Sequence, residues 1–181
     1  MTTKRGFWLA VALQVLILLG MVGWHSYTVL TGRPVTLQTA PVDPWDPMRG
    51  QYVRLSYVIS QLQGDKIPFI GSPYKPEQTV WVTLQEGNPY WTAIQVSDQR
   101  PTVRSGQVAL KARVQWFDEG KGNFPTQVFV RYGGIEQFYV PEGEGEKLQS
   151  RRDLSVEALV DSFGNVALHR VFAGDQEIKW H

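Results

Sequence analysis

The run from Phe7 to Trp24, FWLAVALQVLILLGMVGW, has no charged residue and a single amide, Gln14. A helix rises about 1.5 Å per residue, so these residues reach about 27 Å, close to the thickness of a bilayer's hydrocarbon core. The run is apolar on every face, which suits lipid and not the half-buried position of a surface helix. Weaker apolar character continues through Tyr27, Val29 and Leu30, so the expected anchor is 7–30, after a short N-terminal segment 1–6. Lys4 and Arg5 precede it and no acid lies near. The positive-inside rule then places the N-terminus in the cytoplasm and the rest of the chain on the exported side, periplasmic or an equivalent lumen. Trp8, Trp24 and Tyr27 stand where interfacial aromatics belong. A cleaved signal peptide would have an apolar core of about 7–15 residues ending in an A-x-A-like site. Gly20 to His25, GMVGWH, offers no such site. Gln14 is either tolerated in lipid or bonded to a partner helix.

Beyond the anchor the hydrophobic period changes to two. Residues 31–38 are expected to tether the anchor, with strand structure starting near Val35, and 39–181 to form the exported domain. In Tyr52–Ile59, Val53, Leu55, Tyr57 and Ile59 point one way, and Tyr52, Arg54, Ser56 and Val58 the other. Further alternating runs are Thr79–Leu84, Tyr90–Val96 and Val108–Trp116, where Trp116 falls on the core face. Gln127–Tyr132 and Ile135–Val140 flank Gly133-Gly134, and Leu154–Val160 and Val166–Phe172 flank Asp161-Ser162-Phe163-Gly164-Asn165; both read as hairpins. Gln176–Trp180 is a last candidate strand, and Glu144–Arg152 is a possible short helix with Leu148 facing the core. The expectation is an all-β sandwich or barrel of about nine to ten short strands with one N-terminal transmembrane helix.

Composition removes several function classes. A net charge of +1 leaves no nucleic-acid footprint. With no cysteine there is no disulfide, no thiolate zinc site and no thiol nucleophile. His25, His169 and His181 are far apart in sequence, so no metal site and no cofactor is expected. Gly-x-Ser-x-Gly is absent, and Gly120-Lys121-Gly122 lacks the setting of a phosphate loop. The acidic stretch Glu142-Gly143-Glu144-Gly145-Glu146 lacks the ligand pattern of a calcium loop. Signal peptidases also join an anchor to an exported β domain, but Ser26 is followed by Tyr27 and lacks a Ser-Met setting.

The run Asp43 to Tyr57, DPWDPMRGQYVRLSY, carries the most local specification. Pro44 and Pro47 fix φ and hold Asp43 and Asp46 extended. Those carboxylates can serve nearby backbone N–H groups, and Arg49 can pair with either. Trp45, in a turn between two Asp-Pro steps, suits an exposed contact or the lipid surface. Gly50, Tyr52, Leu55 and Tyr57 resemble the signature of the GDYXXLXY family, with Gln51 in place of its Asp. Val42, Asp43, Pro44, Asp46 and Arg49 look like that family's approach to the signature. Tyr132–Gly143 and Val156–Asn165 resemble two further family blocks, the first carrying one extra glycine. The resemblance spans roughly residues 35–175 and implies a membrane-anchored bacterial protein. It transfers no catalytic residue, and Gln51 speaks against an essential acid or metal ligand at that position.

The expected function is therefore that of an accessory or assembly subunit, without catalysis, whose exported domain binds another integral membrane protein. Candidate partner- or ligand-binding residues are Asp43, Trp45, Asp46, Arg49, Gln51, Tyr52 and Tyr57. The alternatives are a small-ligand or envelope-glycan module using the Asp43–Tyr52 turn, and a membrane-anchored hydrolase or peptidase using Asp43, Asp46 or Glu142.

Overall fold

The computed structural model describes residues 2–40, 52–71, 74–118, 125–140, 148, 151 and 153–179. Helix α1 (Thr2–Thr31) opens the chain. Its segment Gly6–Gly23 is long and apolar enough to cross a membrane, and none of it is buried against the rest of the protein. Thirteen strands follow among the described residues: β1 (Arg33–Ala40), β2 (Tyr52–Arg54), β3 (Ser56–Tyr57), β4 (Gln61–Gln63), β5 (Phe69–Ile70), β6 (Thr79–Gln85), β7 (Thr92–Ser97), β8 (Gln107–Asp118), β9 (Gln127–Arg131), β10 (Gln137–Tyr139), β11 (Leu154–Val160), β12 (Val166–Ala173) and β13 (Gln176–Glu177).

The protein is mostly β, as the alternation implies, but the strands are more numerous than expected because some runs break to change partners. Two main sheets form, with orders β13-β12-β11-β1-β3 and β4-β9-β8-β6-β7-β5, and β10-β2 makes a separate ladder. One hydrophobic cluster unites them, fed by Val35 and Leu37 of β1, Val80, Val82 and Leu84 of β6, and Val156 and Ala158 of β11. The expected hairpin at Asp161–Asn165 forms, with β11 and β12 antiparallel. The expected hairpin at Gly133-Gly134 does not. β9 pairs with β4 and β8, whereas β10 pairs with β2. The Glu136 side chain turns back to accept a bond from the Tyr132 N–H at 2.9 Å, which folds 132–136 into a compact turn that directs β10 away from β9. The possible helix at 144–152 lies largely outside the described residues, although Leu148 is buried.

No flexible tether separates α1 from the sheets. The stretch expected to play that role is mostly β1, an interior strand between β11 and β3, because Val35 and Leu37 bury their side chains in the core. Gly32 alone joins helix to strand; its N–H still bonds the Thr28 carbonyl at 3.0 Å. A Cβ at Gly32 would collide with that carbonyl oxygen and lie 2.8 Å from Leu159 Cβ. Gly32→Ala is therefore expected to destabilise the protein by about 1–3 kcal/mol through forced displacement, read as a lower thermal midpoint of the full chain in detergent.

The hairpin turn locks the joint. Asp161 is buried, and its Oδ1 accepts from the backbone N–H of Phe163 (2.8 Å) and Asn165 (2.9 Å). Its Oδ2 accepts from Thr28 Oγ1 (2.7 Å) and Asn165 Nδ2 (2.9 Å). The Tyr27 ring packs on Phe163 at 5.7 Å between centroids, and its hydroxyl is 3.4 Å from Ser162 Oγ. Desolvation pushes the Asp161 carboxyl upward, but the hydrogen bonds from Thr28, Asn165 and Phe163 outweigh it and hold the group below the usual carboxylate range.

Candidate functional site

The segment Tyr52–Gln63 is the seam of the molecule. β2 lies against β10, with Tyr52 opposite Tyr139 and Arg54 opposite Gln137. The Leu55 N–H bonds the Glu136 carbonyl at 2.8 Å, β3 then joins β1, and after a short 3-10 turn at Val58–Ser60 the chain enters β4 beside β9. One short stretch therefore reaches three ladders. Its alternation survives the breaks: Leu55, Tyr57 and Ile59 are buried while Arg54 and Val58 are exposed.

Two buried tyrosines clasp this seam. The Tyr57 hydroxyl donates to the Ile135 carbonyl, and the Tyr132 hydroxyl donates to the Ile59 carbonyl at 2.7 Å. Each ring crosses to the backbone of the segment that carries the other. Burial, then the Glu136 charge, pushes both phenols far above their ordinary range, so both stay protonated donors. Burial likewise raises the Glu136 carboxyl, opposed by its bond from the Tyr132 N–H and by the charges of Arg131 and Arg54. Arg131 Nε stands 3.7 Å from that carboxylate.

Beside the seam opens a cleft of 530 Å³ between the two main sheets. Gln38 and Ala40 of β1 form one wall, the Ser56–Gln63 segment the floor, and Tyr90, Trp91 and Phe129 the other side. Trp91 is fixed there by its N–H bond to the Thr36 carbonyl at 3.0 Å and by the Arg33 guanidinium 5.0 Å over its ring. Arg33 is in turn paired with Glu86 at 2.8 Å. The volume lies in the range of small-ligand sites, about 300–1,000 Å³. Phe129 also meets Trp116, with ring centroids 5.2 Å apart. Trp116 was expected in the core; it is 54% exposed. A register shift between Val114 and Trp116 inserts one extra residue in β8 and turns the ring outward.

Of the residues singled out in the sequence, Asp43, Trp45, Asp46, Arg49 and Gln51 lie outside the described residues, as does Glu142. Tyr52 holds the first position of β2. Tyr57 is 1% exposed and serves the core through its hydroxyl bond. Sequence reading missed Tyr132 as its counterpart, although both lie in the blocks that carry the family resemblance. It missed Phe129 and the outward Trp116, for which a bulge leaves no sequence mark. His169 is exposed on β12, 3.8 Å from a Glu157 oxygen. Among the described residues no group of three or more His, Asp or Glu side chains is placed to hold a metal ion.

An N-terminal apolar helix is joined to a mostly β domain, whose seam is clasped by the tyrosines of two separate sequence blocks. The chain belongs to the GDYXXLXY protein family, whose match covers residues 14–171. Comparison with curated proteins and with solved structures found no match.

Proposed function

We propose that α1 spans a bilayer once with its N-terminus in the cytoplasm, and that the exported β domain binds another integral membrane protein as a non-catalytic accessory or assembly subunit. Lys4 and Arg5 ahead of the span support the orientation. The observation that carries the partner reading is Trp116. A bulge holds this large aromatic out of the core and seats it on Phe129, which also lines the cleft. Exposed tryptophans next to a concave, mixed surface are the usual anchors of protein interfaces. The signature residue Tyr57 is spent on the core, so the recognition surface is the cleft and the Trp116–Phe129 pair.

Trp116→Ala should weaken the partner complex about 30-fold or more, as expected for an interface hot spot. It should leave the folding stability within about 0.5 kcal/mol, as for other surface changes. Purification of the full chain and the variant in mild detergent, with quantitation of what remains bound, checks both. A wild-type chain that runs alone in every mild detergent contradicts the reading. The cleft favours one other reading, a small-ligand or envelope-glycan module, since Tyr90 and Trp91 stand with the amides of Gln38, Gln61 and Gln63 around it. A full chain that runs alone and binds a soluble glycan in calorimetry would replace the first reading by the second.

A further inference from the structure

We infer that the β domain sits directly on the lipid headgroups, through the Asp161–Asn165 turn and the loop that carries Arg100, Val103 and Arg104; this rests on the proposal that α1 spans the bilayer. Tyr27 lies four residues beyond Gly23, the end of the apolar span, so it stands about 6 Å further along the helix. The headgroup layer is about 5–8 Å deep on each side of the hydrocarbon. Tyr27 therefore emerges inside that layer. Phe163 packs on Tyr27 at 5.7 Å and is 42% exposed, so an apolar ring at the tip of a turn lies at the same depth.

The surroundings of that tip are basic. Arg100 Nη2 donates to the Ser162 carbonyl, and its guanidinium stacks over Trp81 at 5.7 Å. Lys111 reaches the same ring at 5.4 Å, and its backbone N–H bonds the Gly164 carbonyl at 2.8 Å. Arg100 and Val103 line a hollow of 240 Å³ together with Asp161 and Ser162 of the turn. Val103 is 43% exposed, and Arg104 next to it is exposed as well. The one acid of the turn, Asp161, has its acceptor positions filled by four hydrogen bonds, so it does not compete for these cations. An aromatic tip with Arg100 and Lys111 beside its turn matches a layer of phosphates above hydrocarbon. Because the Asp161–Thr28 bond and the Gly32 joint leave no slack, this face is held toward the bilayer whenever the helix is inserted.

The chain has no cysteine, so single labels can be placed without a background variant. Nitroxides at Phe163→Cys, Val103→Cys, Leu13→Cys and Val58→Cys, each in the full chain in phosphatidylcholine–phosphatidylglycerol vesicles, report depth through their oxygen and nickel-chelate accessibility. The expected pattern is Leu13 in hydrocarbon, residues 163 and 103 in the headgroup layer, and Val58 in water. Val58 follows β3, which pairs with the Thr39–Ala40 end of β1 remote from the helix. Each basic side chain at an anionic surface favours contact about fivefold, so Arg100→Glu with Arg104→Glu should cut the headgroup-bound population of the 103 label about 25-fold or more. If Leu13 is deep while 163 and 103 are as wet as Val58, the inference is wrong and the spanning helix stands. If Leu13 is itself in water, the spanning reading fails and the inference with it. An unchanged 103 label in the double variant would also overturn the role assigned to the arginines.

Discussion

Asp161→Ala is expected to lower the stability of the full chain by about 3–5 kcal/mol, the cost of stripping a buried carboxylate from several donors at once. Asp161 is 5% exposed, and its carboxylate accepts four bonds, two from backbone and two from side chains. Without it, the buried Thr28 hydroxyl and the half-buried N–H groups of Phe163 and Asn165 lose their acceptor. For a domain of this size the thermal midpoint should fall by roughly 10 °C. The same group predicts an acid dependence. Its folded carboxyl is held below the ordinary range of an Asp side chain. Its contribution is therefore present above that ordinary range and lost as pH falls through the lower folded value. Wild type should lose stability on acidification below about pH 4, and Asp161→Asn should lack that component. Thr28→Val removes one bond only, so it should leave the turn folded and loosen the helix against the sheet. A melt of Asp161→Ala within 1 °C of wild type would mean that these four bonds do not form (about 0.5 kcal/mol or less).

The second large effect concerns the clasp. Tyr132 is fully buried, and Tyr132→Ala should cost about 3–5 kcal/mol through the cavity left by the ring. The subtler variants say more. Tyr132→Phe leaves the Ile59 carbonyl unpaired, and Tyr57→Phe leaves the Ile135 carbonyl unpaired. Each should cost about 1–3 kcal/mol, the penalty of a buried acceptor without a donor. The two hydroxyls join the same pair of segments from opposite sides, so their losses should not add. A coupling of about 0.5–3 kcal/mol is expected from the double-mutant cycle. Urea titration checks this, with the midpoint moving and the slope constant. Strict additivity would mean that the tyrosines act as separate core residues.

Where side-chain alternation carries the information, the fold was legible. The β6 and β8 patterns and the Asp161 turn all follow from a period of two with turn residues between. What was not legible is set by tertiary partners. Tyr52–Ile59 reads as one strand because its residue types alternate throughout, yet its backbone bonds go to β10, then β1, and the chain runs onward to β4 beside β9. Gly133-Gly134 reads as a hairpin, but a long-range ladder with β2 claims β10. Trp116 alternates into the core on paper, and a one-residue bulge reverses it. Residues 31–38 read as a tether with strand structure starting near Val35, whereas β1 already begins at Arg33, because its ladder with the distant β11 reaches back to the Arg33–Val160 pair. As for the site, the signature tyrosine was visible and its role was not: hydroxyl partners such as Ile135 and Ile59 are backbone atoms, which no side-chain pattern announces.

The proposal that the cleft face meets a membrane partner is tested most directly by a photo-reactive amino acid at position 116 in the native membrane, with position 175 in the β12–β13 turn as comparison. The account predicts a discrete adduct with an integral membrane protein at 116 and none at 175. No adduct at 116, or the same products at both positions, would contradict it.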